Sequence, residues 1–212
     1  MKTFRIIFIA GAVILLFFKH EYSLSENSKP KNYFKNPFPD ESIKNNFESG
    51  DIILRSGKGF ISDVFRQFSL NDKKYSHAGI ISVKQNKVFV YHILGGEAKQ
   101  PTQMRKELLD SFCSATENNS FAIYRYDLTN TEKENMLNNL NSFSQKKIIF
   151  DSHFDLATDS AMYCTELVYK MVESATTKKN YLPVTVIDGN KFIAPDNLYI
   201  NAHARLIYSY AY

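Results

Sequence analysis

Two apolar-rich runs, His77 to Val83 and Lys87 to Ile93, are separated only by Lys84-Gln85-Asn86. So short a gap leaves no room for a crossover, so the two runs must pair as an antiparallel hairpin. The rest of the chain has to arrange itself around that sheet. Asp51-Ile52-Ile53-Leu54-Arg55 reads as a short strand, broken by Gly57 and Gly59 ahead of a helix. Phe60, Ile61, Val64, Phe65 and Phe68 share one face of that helix, which predicts a helix packed on the sheet. The spacing predicts a further helix from Thr102 to Phe112 and a strand from Phe121 to Tyr126. Another helix opens at Thr131, with Thr131 and Glu134 at capping-box spacing and Met136, Leu137, Leu140 and Phe143 behind them. A loop then runs from Gln145 to about Tyr163. The segment from Cys164 to Val172 is helical by pattern, burying Leu167, Val168, Met171 and Val172. A Pro195-Asp196-Asn197-Leu198 turn and an alternating strand, Ala204 to Tyr212, close the chain.

The start of the chain has a different character. Lys2 and Arg5 precede the apolar run Ile6 to Phe18, and Lys19 follows it. That run is shorter than the roughly 20 apolar residues of a spanning helix and matches a signal-peptide core. Lys19-His20-Glu21-Tyr22-Ser23 offers a poor cleavage site, so residues 1–22 read as a signal peptide or an uncleaved membrane anchor. Residues 23–46, rich in Ser, Asn, Lys and Pro without periodicity, read as a tether, and residues 47–212 as one domain. The expected location is exported, either membrane-anchored or periplasmic/extracellular, with a membrane contact through the N-terminal segment. Basic residues number 26 against 22 acidic ones and are scattered, too thin a surplus for a nucleic-acid partner. Gly57 and Gly59 do not form a phosphate loop, because no Gly-Lys-Ser or Gly-Lys-Thr follows them.

Chemistry concentrates at a few side chains. Cys164 falls in the first turn of its helix, where the dipole and unpaired N–H groups favour a thiolate. Cys113 lies in the polar stretch Cys113-Ser114-Ala115-Thr116-Glu117-Asn118-Asn119, and in an exported chain a disulfide between the two has to be considered. A nucleophilic thiol needs a base to take its proton and a third group to hold that base in the useful tautomer. His77 and His92, both on the hairpin, can face one side and hydrogen-bond in series toward the thiol. The backbone N–H of Cys164 would then serve a developing oxyanion. Each residue also has a structural reading: Cys164 as a small buried hydrophobe, His77 as a strand cap. Cys164, His77 and His92 are also ligand types for zinc, but lack a tight spacing such as Cys-x-x-Cys. Tyr75, Glu166 and His153 are lesser candidates, for an oxyanion contact, a helix-dipole contact and a cleft wall.

Four blocks occur in order: Ser49-Gly50-Asp51-Ile52-Ile53, Tyr75-Ser76-His77-Ala78-Gly79-Ile80-Ile81, Phe150-Asp151 with Phe154-Asp155, and Tyr163-Cys164-Thr165-Glu166-Leu167-Val168-Tyr169. Together, from about Phe47 to Leu198, they resemble the YiiX/YebB-like group of circularly permuted NlpC-type, papain-like cysteine hydrolases. The resemblance implies an α+β, permuted papain-like (NlpC-type) fold, an antiparallel sheet packed against helices, with the nucleophile at a helix N-terminus. It assigns the nucleophile to Cys164 and the base to His77, the reverse of papain's chain order. The third polar position, commonly Glu in the family, falls on His92, with Glu97 as the alternative. The implied reaction is hydrolysis or acyl transfer at an amide or ester through an acyl-thioenzyme, with a peptide-like, cell-wall or lipid acyl substrate. No cofactor and no metal are implied. The competing expectation is a non-catalytic lipid- or peptide-binding member of the fold.

Overall fold

The hairpin around Lys84-Gln85-Asn86 is tighter than the spacing suggests. Lys84 pairs with Lys87, so only Gln85 and Asn86 make the turn, both at positive φ (51° and 59°). Such a two-residue turn matches the right-handed twist of the strands it joins.

The computed structural model describes residues 36–94 and 104–212. In chain order the elements are β1 (Ile52–Gly57), α1 (Phe60–Arg66), β2 (His77–Lys84), β3 (Lys87–His92), β4 (Arg105–Leu108), α2 (Leu109–Phe112), β5 (Asn118–Tyr126), α3 (Asn130–Ser144), β6 (Ile149–Phe150), β7 (Ala161–Met162), α4 (Cys164–Ala175), β8 (Thr185–Ile187), β9 (Asn190–Phe192) and β10 (Ala204–Ala211). Six strands form one sheet in the order β10-β5-β1-β2-β3-β4, every neighbouring pair antiparallel.

Both faces of this sheet are covered, which explains why its central strands read as nearly continuous apolar runs. Ile52, Leu54, Ala78, Ile80, Tyr91 and Ala122 point to the face where α3 and α4 pack. Ile53, Ile81, Val90, Phe121 and Ile123 point to the other, against Phe38, Phe47, Leu109 and Phe112. Within the stretch expected as a tether, residues 36–46 therefore lie on the domain. Phe38 is buried beside Phe47 and Phe121, and a 3-10 helix, Glu41–Asn46, is capped by Asp40. The apolar leader, residues 1–22, lies outside the described residues. Among the described residues no helix is long and apolar enough to cross a membrane.

Three local expectations need correction. No residue of α1 is buried, and Phe60 is 47% exposed. The helix lies along β1, where Arg66 donates to the Ser56 hydroxyl and the Gly57 carbonyl, while its Phe65 meets Phe68, Phe154 and Phe150 of β6. The helix expected from Thr102 to Phe112 is helical only over Leu109–Phe112, because Arg105–Leu108 adds to β3 as an edge strand. Finally, α3 is capped by Thr129 with Glu132, two residues ahead of the Thr131–Glu134 pair.

The Gly-Asp block before β1 has a structural task. Asp51, 1% exposed, accepts from Arg125 Nε at 2.7 Å, Arg125 Nη2 at 2.8 Å and the Glu48 N–H at 2.8 Å. It ties the entry of β1 to β5, while Gly50, at φ 97°, donates its N–H to Ile81 of β2.

Candidate active site

Cys164 is the first residue of α4, and its position is set from behind. Leu167, Val168, Met171 and Val172 are all buried in the main core, each contributing about 1.5–3 kcal/mol of apolar burial. Thr165 donates its hydroxyl to the Ile193 carbonyl at 2.6 Å, and Tyr163 receives no less support. Its hydroxyl accepts from the Ile193 N–H at 2.8 Å, and its own N–H donates to Glu166 at 3.2 Å. Glu166 is thus a buried clamp on the helix start, also 3.0 Å from Lys170. Burial pushes its carboxyl up to about 7, against the pull of Lys170.

His77 opens β2 and stands opposite Arg55 of β1. It projects to the Phe112 side of the sheet, as does His92 at the end of β3; their rings lie 5.7 and 5.2 Å from that of Phe112. His77 Nε2 is 2.9 Å from His92 Nδ1. Gly79 makes this approach possible, since a Cβ there would lie 2.5 Å from Val90 Cγ1 and 3.3 Å from His92 Cβ. With Nε2 of His77 engaged, Nδ1 is the nitrogen left for a reacting group.

His77 and Cys164 line one cavity of about 500 Å³, together with Arg55, Lys58, Phe65 and Phe150. On its other side Cys164 borders an aromatic recess formed by Phe65, Phe68, Phe154 and Phe192. Phe154, held at φ 56°, packs at a tilt against both Phe68 and Tyr163. A bulky residue rarely adopts that backbone conformation, so packing here overrides local preference.

The electrostatics refine the thiolate expectation. Burial dominates and pushes the Cys164 thiol up to about 11, although the N–H groups of Ala78, Thr165 and Cys164 itself, with Arg55, pull the other way. Burial, then Arg55 and His92, hold His77 well below the usual imidazole range. Both shifts favour the neutral forms, a thiol and a free imidazole facing one cavity, over a preformed ion pair.

The structure thus brings His77 and His92 into contact and places His77 and Cys164 around one cavity. Glu97 lies outside the described residues. Tyr75 is fully buried in the core, edge-on to Tyr199, and His153 is exposed on the loop after β6. Cys113 and Cys164 are both unpaired; Cys113 is buried at the end of α2, not in an open loop, and burial raises its thiol well above the usual range. Sequence reasoning overlooked Arg55, whose guanidinium stacks 4.4 Å over Phe112 and donates to its carbonyl. It also overlooked Glu107 on β4, whose Oε1 is 2.8 Å from His92 Nε2.

Comparison with known proteins finds similarity in both sequence and fold. Residues 46–192 match the model of a family described as permuted papain-like amidase enzyme, YaeF/YiiX, C92 family. No curated protein gives a significant match. Among solved structures, one described as metalloprotein yiiX from Escherichia coli O157:H7 is similar, with a TM-score of 0.62 and 15% identity over 78% of this chain and 98% of that one. In the present chain no group of three or more His, Cys, Asp or Glu side chains converges as metal ligands among the described residues. His77 and His92 turn their facing nitrogens toward each other, a poor fit to a shared ion.

Proposed function

Because this chain belongs to the permuted papain-like amidase family, and is by that membership a cysteine hydrolase, we propose that it cleaves an amide or ester through an acyl-thioenzyme on Cys164. What carries the reading is one arrangement: a thiol at the head of α4 and a neutral imidazole, its far nitrogen already engaged, around one cavity.

The chemistry follows from that neutral pair. As Cys164 Sγ attacks the carbonyl carbon, its proton passes to Nδ1 of His77. The tetrahedral oxyanion takes the Cys164 N–H as one donor. His77 then returns the proton to the departing amine or alcohol, leaving a thioester. In the second half His77 takes a proton from water, hydroxide adds to the thioester, and the acid leaves as the thiol is re-protonated. Replacing water by an amine or alcohol gives acyl transfer by the same steps. His92 orients His77.

The substrate we propose is a peptide-like, cell-wall or lipid acyl compound. Within the cavity, Ile61, Phe65 and Phe150 suit an apolar portion, and Arg55 and Lys58 suit an anionic one. The leader, with Lys2 and Arg5 before an apolar run, supports export and a membrane contact, where all three classes are within reach.

The test is covalent trapping with a panel of electrophilic amide, ester and lipid probes, mapped by mass spectrometry. Adducts are expected at Cys164 and lost in Cys164→Ala, while buried Cys113 serves as an internal control. Reversible binding of the same compounds with no adduct at Cys164 would instead favour a binding-only protein.

A further inference from the structure

His92 is fully buried: its Nδ1 is hydrogen-bonded to His77 at 2.9 Å, and its Nε2, which no aligned hydrogen bond satisfies among the described residues, lies at ion-pair distance, 2.8 Å, from Glu107 Oε1. These contacts join three adjacent strands, because His77 is on β2, His92 on β3 and Glu107 on β4. Glu107 stands opposite Val90, so its side chain shares the face of Val90 and His92 and reaches His92 diagonally. A neutral imidazole carries one N–H and one lone pair, so the proton position on one ring dictates that on the next.

We propose that Glu107 is a positioning residue that sets the direction of the His77–His92 hydrogen bond and, through it, which face of His77 is presented to the cavity it shares with Cys164. A carboxylate can only accept, so His92 must carry its proton on Nε2. The lone pair of His92 Nδ1 then accepts from Nε2–H of His77. His77 Nδ1 is left unprotonated on the side from which a thiol proton must be taken. Without Glu107, the proton of His92 is free to sit on Nδ1. His77 would then accept at Nε2 and carry its proton at Nδ1, so it would meet the thiol as a donor and could not act as base. The carboxylate missing at the third position is thus supplied one strand further out, and because two imidazoles intervene, its polarity arrives unchanged.

The assignment rests on the catalytic reading of Cys164 and His77, but its main readout does not. The decisive measurement is the tautomer of each histidine by nitrogen-15 correlation spectroscopy, in the full chain, for wild type, Glu107→Leu and Glu107→Gln. Wild type should show His77 and His92 both protonated at Nε2. Glu107→Leu should move or mix the His92 tautomer, while Glu107→Gln, whose amide oxygen still accepts, should hold more of the wild-type state. Alkylation of Cys164 by iodoacetamide at neutral pH should slow by roughly 10- to 100-fold in Glu107→Leu and less in Glu107→Gln. Wild-type tautomers in a folded Glu107→Leu, or in Glu107→Gln should the leucine variant fail to fold, together with unchanged alkylation, would overturn it. A tautomer shift with no turnover by the wild-type protein would retain the role of Glu107 and count against the hydrolase instead.

Discussion

His77 Nε2 and His92 Nδ1 lie 2.9 Å apart across neighbouring strands, which makes the two rings one functional unit. His92→Phe should therefore leave the fold intact by circular dichroism and slow Cys164 alkylation roughly 10- to 100-fold. His92→Asn, whose amide oxygen can still accept from His77, should recover part of that loss. Equal rates in all three proteins would remove His92 from the site.

The pH dependence has a definite sign. Burial is the main cause that lowers both His77 and His92, with Glu107 opposing it at His92. Protonating His77 removes the base, so alkylation of Cys164 should hold through neutral pH and fall only well below pH 6.5. In His77→Ala the neutral plateau should vanish, leaving a rate that climbs toward the thiol's own value of about 11. Stability follows the same rings. The unfolded chain binds these protons more readily, so the contribution is fully present above about pH 6.5 and is lost as pH falls through the lower folded values. Urea midpoints measured across that range should decline on the acid side, and less so in a His77→Phe variant.

Gly79→Ala should be disproportionately harmful for one methyl group. The added Cβ would meet Val90 Cγ1 at 2.5 Å and the Tyr91 carbonyl oxygen at 2.9 Å, and the latter is backbone that cannot step aside. A loss of about 1–3 kcal/mol is expected from overpacking, measured by urea unfolding. Because the strain falls on β3, thiol reactivity should drop as well.

Asp51→Ala is expected to act on stability alone. It leaves Arg125 and the Glu48 N–H without their shared acceptor, at a cost of about 3 kcal/mol, the low end for a broken buried pair because Arg125 reaches solvent. At temperatures where the variant is folded, Cys164 should react at the wild-type rate. A selective loss of reactivity would mean that Asp51 reaches into the site.

The hairpin and the Cys164 helix were legible because each has a strong period of its own, and one end of each carries the reactive residue. Glu107 was not. Arg105-Lys106-Glu107-Leu108 has no apolar alternation and is made of good helix formers, so nothing local marks it as a strand. Only pairing with β3 makes it one, and that pairing is a long-range fact. The Phe-rich face of α1 shows a second kind of limit. Its periodicity was real, but a period says that a helix has an apolar side, not whether that side meets a sheet or a cavity. At α3 two overlapping Thr-x-x-Glu pairs satisfied one rule, and the backbone used the earlier of them.

The placement of Glu107 on β4 has a thermal consequence. That strand is four residues long, lies at the edge of the sheet, and keeps most of its side chains outside the core. Elements of that kind open at a lower free energy than the body of a domain. Detaching it would uncouple the last acceptor while α4 and the central strands stay in place. Heat should therefore inactivate the thiol, reversibly, in a range where the domain as a whole is still folded, with Arg105–Leu108 exchanging its amide hydrogens ahead of β1 and β2.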